Sequence, residues 1–178
     1  MQLYGARQLA EGMRTVRKNT ILIAEDISEK DYGHRPTPDS RSVQETLVHI
    51  ASLWRFDRLV HEEQRLSSLE GFDFGALLKR AETEEKLLRS KSDIVGLLQT
   101  QGERWCQWVE SLSEALLSEQ VRQPGGTVKG RFEMLVGTKD HEMQHRGQLM
   151  VMERMLGIVP HLTRGRQAHR DGAAKSAK

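Results

Sequence analysis

Hydrophobic positions along this chain recur at helical spacing in four places. Between Leu3 and Ile27 the stripe is Leu9, Met13, Val16, Thr20, Ile23 and Ile27, in alternating steps of three and four, which predicts one amphipathic helix. The stretch EKDYGHRPTPDSR then breaks it, since two prolines, a glycine and aspartates within a few residues favour a loop. Ser42-Val43-Gln44-Glu45 has the form of a capping box, so a second helix is expected from Ser42 to about Glu63. Its inward stripe is Thr46, His49, Leu53, Phe56 and Val60.

From Ser67 to Lys91 the chain passes through SSLEGFDFG into the charged run ALLKRAETEEKLLRSK, which predicts a connection carrying a short exposed helix. A third helix is expected to be capped by Ser92 or Asp93 and to bury Ile94, Leu98, Trp105, Val109, Leu112 and Leu116. VRQPGGTVKG ends it in a loop or small hairpin. A fourth runs from about Phe132 to Gly157, a natural left-handed cap with Pro160 beyond. Together these predict an all-α four-helix bundle, with one extra short helix in a connection and at most a small hairpin.

Composition narrows the function. Cys106 is the only cysteine, which excludes an internal disulfide and a multi-cysteine zinc site, and makes the cytoplasm the expected compartment. No apolar run approaches the length of a signal peptide core or a membrane span, so a soluble chain is expected. The net charge of +2 is unevenly placed. Residues 161–178 hold Arg164, Arg166, Arg170, Lys175 and Lys178 against Asp171, a surplus of four, which leaves residues 1–160 at −2. Residues 1–160 are therefore expected to form one domain and 161–178 a basic, disordered tail, with no specific nucleic-acid partner.

The candidate chemistry lies in the fourth helix. His141 and His145 are four residues apart and project from one face, within the stripe Met134, Thr138, His141, His145, Leu149, Met152, Leu156. Seven histidines in 178 residues would give about a quarter of one such pair by chance, so the pair needs a third partner. His49, set among apolar residues on the second helix, supplies it. Three neutral imidazoles from two neighbouring helices can bind one divalent ion and leave a coordination position open. HEMQH also matches the H-E-x-x-H zinc-protease signature, but Gly147 stands one place early for a metzincin and no third histidine follows at the required spacing.

These residues resemble the DinB/YfiT-like superfamily of metal-binding four-helix bundles, which takes in thiol-dependent S-transferases. The resemblance covers about residues 5–160 and rests on HRPTPDSRSVQETLVHIA, containing His49, and on DHEMQHRGQL followed by LGIVP. It implies a His49, His141, His145 triad for zinc or nickel and a homodimer. It also implies a thiol-transferase activity, in which the ion activates a low-molecular-weight thiol toward a small electrophile. Two other readings stand beside it. One is a metal-dependent hydrolase with Glu142 as base; the other is a non-catalytic, metal-stabilised stress-response or interaction module. Gln148 and Arg146, within a turn of His145, are expected to orient that ring or a substrate anion. His61, twelve residues after His49, is turned about 120° from it and is not expected to be a ligand.

Overall fold

A computed structural model describes residues 4–87 and 89–176. The elements are α1 (Ala6–Asp26), α2 (Val43–Ser52), α3 (Trp54–Arg58), α4 (Phe74–Glu85), α5 (Lys91–Ser111), α6 (Glu114–Ser118), β1 (Gln120–Arg122), β2 (Val128–Gly130), α7 (Arg131–Met155) and α8 (His161–Ser176). The long helices form a four-cornered bundle. α1 packs on α5 and α7, and α2 packs on the same two, while the α1–α2 and α5–α7 pairs touch only marginally if at all. The corners therefore run α1, α5, α2, α7, which makes α2 and α7 neighbours.

The expected stripe of α1 is the buried one: Leu9, Met13, Val16, Thr20, Ile23 and Ile27 all lie inside. The proposed start at Leu3 falls outside the described residues. One half of the core gathers Ile23, Ile27, Val43, Leu47, Ile50, Ile94, Leu98 and Leu149; the other gathers Leu9, Met13, Trp105, Cys106, Val109 and Leu135.

The predicted second helix follows one helical path from Val43 to Glu63, but not a uniform one. It is interrupted at Leu53, resumes as α3, and widens into a π turn over Leu59–Glu63. Its capping box forms as expected: the Glu45 amide donates to Ser42 Oγ at 3.2 Å and the Ser42 amide to the Glu45 carboxylate at 2.9 Å. The third helix begins one cap earlier than expected. Ser90, not Ser92 or Asp93, accepts the Asp93 amide, and the Asp93 carboxylate reaches back. It also ends earlier. Leu112 is extended and Ser113 caps a separate α6, so Leu116 lies on a different element from Val109. VRQPGGTVKG forms a hairpin, β1 pairing antiparallel with β2 through Val121 and Lys129, with Gly125 and Gly126 at φ 84° and 86° in the turn.

The basic tail is a correction. Instead of an unstructured end, α8 is helical through Ser176. The stretch contains strong helix formers, and the Pro160 carbonyl accepts the Thr163 and Arg164 amides at its first turn. Arg164 then ties it to Asp26 on α1 at 2.6 Å. Lack of apolar periodicity is the mark of an exposed helix here, not of disorder. Among the described residues, no helix is long and apolar enough to cross a membrane.

Candidate metal centre

α2 and α7 bring His49, His141 and His145 together, with one ring nitrogen of each within 4.8 Å of the others. His49 and His145 are buried, at 8% exposure each, whereas His141 is exposed at the mouth rather than turned fully inward as its stripe suggested. His141 Nε2 stands 3.5 Å from His49 Nε2 and 2.8 Å from His145 Nε2.

What surrounds the rings fixes which nitrogen faces the centre. His49 Nδ1 lies 2.8 Å from Glu85 Oε1, and His145 Nδ1 lies 2.8 Å from Gln148 Oε1. Each Nδ1–H donates outward to an oxygen, so each Nε2 turns a bare lone pair inward. Two lone pairs and the His141 Nε2 thus surround one point, where a single proton on His141 can satisfy only one neighbour. A tetrahedral ion with bonds of about 2.0–2.1 Å holds its nitrogen ligands about 3.3 Å apart, between the two separations found here. The donor set fits a divalent metal, and a carboxylate behind a ligating imidazole is the arrangement that raises its basicity and fixes its tautomer.

The electrostatics favour neutral His141 and His145 rings. Burial pushes the His141 pKa down to about 4, helped by His145, His49 and the Arg41 guanidinium. Burial also lowers His145, against the raising effect of its bond to Gln148. For Glu85, burial alone would raise the pKa, but hydrogen bonds from His49 and Arg41, with the Arg41 charge, outweigh it and hold the group below the usual carboxylate value. Glu85 is therefore ionised, buried, and shared between His49 and Arg41 Nε at 2.7 Å.

Glu85 and Arg41 join the site as well, neither of them on the helix faces that mark the histidines. Glu85 sits at the end of α4, in a charged segment whose composition predicts an exposed helix. A signal was there: Phe74, Leu77, Ala81 and Glu85 are spaced three, four and four, so the acid ends a short inward stripe.

Glu142 is a correction in the other direction. Its side chain is turned toward α1, where Arg17 Nε and Nη2 donate to it at 2.9 Å and Thr20 Oγ1 donates at 2.8 Å. Both oxygens are occupied, the residue is wholly buried, and it lines neither cavity at the triad. This is a buried ion pair joining two helices, not a base beside the metal site. Among the described residues Arg146 makes no hydrogen bond to the rings, and its charge acts on His161 instead. His61 is buried 3.1 Å from Arg131, away from the triad, and burial and that charge push its pKa down to about 4.

Two cavities meet at the triad. One, open and about 970 Å³, is bordered by His145 and Gln148 and by charges of both signs, among them Arg35, Arg41, Glu45 and Lys86. The other, about 250 Å³, is walled by His49 and His141 and by Leu53, Phe56, Leu77 and Ala81.

The DinB superfamily matches this sequence over residues 13–149, which contain the whole triad and Glu85. The chain belongs to the DinB superfamily. Solved structures share its fold. A DinB-like protein, YjoA from Bacillus subtilis, superposes with a TM-score of 0.62 at 23% identity, over 84% of this chain and 92% of that one. YfiT from Bacillus subtilis, described as a probable metal-dependent hydrolase with an unusual four-helix bundle topology, gives 0.62 at 17% identity, over 86% and 88%. The mycothiol-dependent maleylpyruvate isomerase gives 0.61 at 12% identity, over 82% of this DinB chain and 61% of its own length. Among curated proteins, none matches significantly.

Proposed function

We propose that this DinB-superfamily protein binds one divalent ion, zinc or nickel, on His49, His141 and His145, and is a metal-dependent thiol transferase acting on a small electrophile. The observation that carries the reading is the convergence of three ring nitrogens, two with their protons committed to Glu85 and Gln148 on the far side. An ion bound there supplies a Lewis acid that lowers the pKa of a thiol or water in its open position. The chain's own residues do the rest. Glu85 fixes and enriches His49, Gln148 fixes His145, and the two cavities admit partners from two sides of the rings.

The preference for a thiol draws on the likeness to an isomerase described as mycothiol-dependent. The likeness to YfiT supports metal-assisted hydrolysis as a second reading. In that reading Glu142 is not the base, because both of its oxygens are held by Arg17 and Thr20.

The test begins with elemental analysis of purified wild type beside His49→Ala and His145→Ala. A stoichiometric ion present in the wild type and lost from both variants is the expected result; an ion retained by both, or never present, refutes the site. Metal-loaded protein is then assayed for conjugation of bacillithiol, mycothiol or glutathione to a model electrophile, and for thiol-free ester or amide cleavage. Conjugation upholds the transferase, cleavage without thiol upholds the hydrolase. Inactivity in both leaves a metal-stabilised, non-catalytic module.

A further inference from the structure

The smaller cavity has a chemistry of its own. Its long walls are Leu53 and Phe56 from the α2–α3 path and Phe74, Leu77, Leu78 and Ala81 from α4. Phe72 packs edge-on against both Phe56 and Phe74 at this wall, with the three ring centroids 4.8–6.0 Å apart. Among the described residues two hydroxyls face the cavity, and both have given their protons away: Ser52 Oγ to the His49 carbonyl at 2.9 Å and Thr138 Oγ1 to Asp57 at 2.9 Å. At the rim, Arg55 and Arg80 are both drawn to Glu84 on α4. Charge is thus confined to the rim, where Arg80 stays largely exposed, and the inner wall is made of two of the three candidate ligands.

From this we infer that the chamber under α4 is an acceptor subsite for a hydrocarbon group, an aryl ring or short alkyl chain, carried by a substrate whose polar reacting end lies at the triad. This rests on the metal reading above. Size limits the class. A closed apolar cavity of about 150 Å³ takes one benzene ring, so about 250 Å³ holds a ring with a short chain, and any longer group extends past the rim into water. The long walls are apolar, the imidazoles stand at the inner end and Arg55 and Arg80 at the rim, so a group held between them is recognised by burial of carbon rather than by hydrogen bonding. The wider, charge-lined cavity on the His145 side accepts no such group without stripping water from Arg41, Glu45 and Lys86.

Hydroxamates, which ligate zinc, supply the probe. Calorimetry on the zinc-loaded full chain compares acetohydroxamate, benzohydroxamate and 3-phenylpropanohydroxamate, with zinc content read separately by elemental analysis. The aryl probes are expected to bind about tenfold tighter or more than acetohydroxamate. Ala81→Leu, which fills the chamber from a helix position that accepts leucine, is expected to erase that advantage while zinc content and acetohydroxamate affinity stay as they were. Leu77→Ala, which enlarges it, is expected to shift the preference toward the longer probe. Retained zinc with no aryl advantage, or an advantage untouched in Ala81→Leu, overturns the subsite and leaves the metal reading standing. Protein that holds no zinc overturns both.

Discussion

At the level of single residues, the centre depends on who holds each imidazole from behind. Glu85 is the strongest of these groups, since it is ionised, buried and bonded to His49 Nδ1. Glu85→Ala is expected to weaken metal affinity by about 10–100-fold, with Glu85→Gln falling between the variant and wild type, as read by competition with a chromophoric chelator. The three histidines were legible in the sequence because helical spacing places 141 and 145 together and an apolar stripe marks 49. Glu85 is marked only by the short stripe that it ends, because its burial comes from α4 folding back over α2, a contact between distant segments that local charge density conceals.

Glu153 offers a second residue-scale prediction. Both of its carboxylate oxygens are buried with no hydrogen-bond partner among the described residues, and burial, reinforced by Asp26, raises its pKa to about 7. A carboxyl whose folded value lies above its unfolded value of about 4.5 favours the folded state fully below that pH and loses the effect as pH rises through about 7. Glu153→Gln is neutral throughout. Urea midpoints should show the variant's advantage growing from near zero at pH 4.5 to roughly 2 kcal/mol at pH 8. A constant difference between the two across that window would contradict the assignment.

At the level of elements, α1 is bound to α5, α2 and α7 by one side chain. Arg17 crosses the bundle to donate to Glu142, to the Leu98 carbonyl at 2.6 Å and to the Ile50 carbonyl at 3.3 Å. Its passage is possible because position 102 has no side chain: a Cβ there would stand 2.8 Å from Arg17 Nη1 and 2.9 Å from Cγ. Gly102→Ala is therefore expected to lower unfolding free energy by about 1 kcal/mol or more, despite the better helix propensity of alanine, because the clash is with a pinned side chain. Denaturant titration checks it.

The helices themselves were readable from periodicity, while their interruptions were not. The break at Leu53, the π turn at Leu59–Glu63 and the early end of α5 at Ser111 all lie inside runs whose spacing alone reads as continuous helix. Ser113 ends the third by offering its hydroxyl to the Leu116 amide, a local competition that an apolar stripe does not record. α8 is the opposite case: its helix formers make a helix where its polarity alone suggests an unstructured end.

For the whole molecule, the triad joins two neighbouring corners of the bundle. An ion held by α2 and α7 stabilises the folded chain by mass action, about 4 kcal/mol at a thousandfold excess over its Kd. That corresponds to a rise in Tm of roughly 10 °C for a chain of this size. Calorimetric scans with and without a chelator should show it, and His49→Ala should melt at the same temperature in both. That α2 and α7 are neighbours could not be read from connection lengths; only the pairing of His49 with His141 and His145 hinted at it.

One short helix stands in two roles at once. α4 roofs the apolar chamber with Leu77 and Ala81, and its last residue is the carboxylate that grips His49. A guest large enough to lever this roof upward would drag the carboxylate off the imidazole and loosen the ion, and by thermodynamic reciprocity a firmly held ion keeps the roof shut. Width of entry and tightness of metal retention therefore meet in one short helix: a change that displaces α4 as a body moves both, whereas one that only fills the chamber, as at Ala81, leaves the Glu85 grip in place.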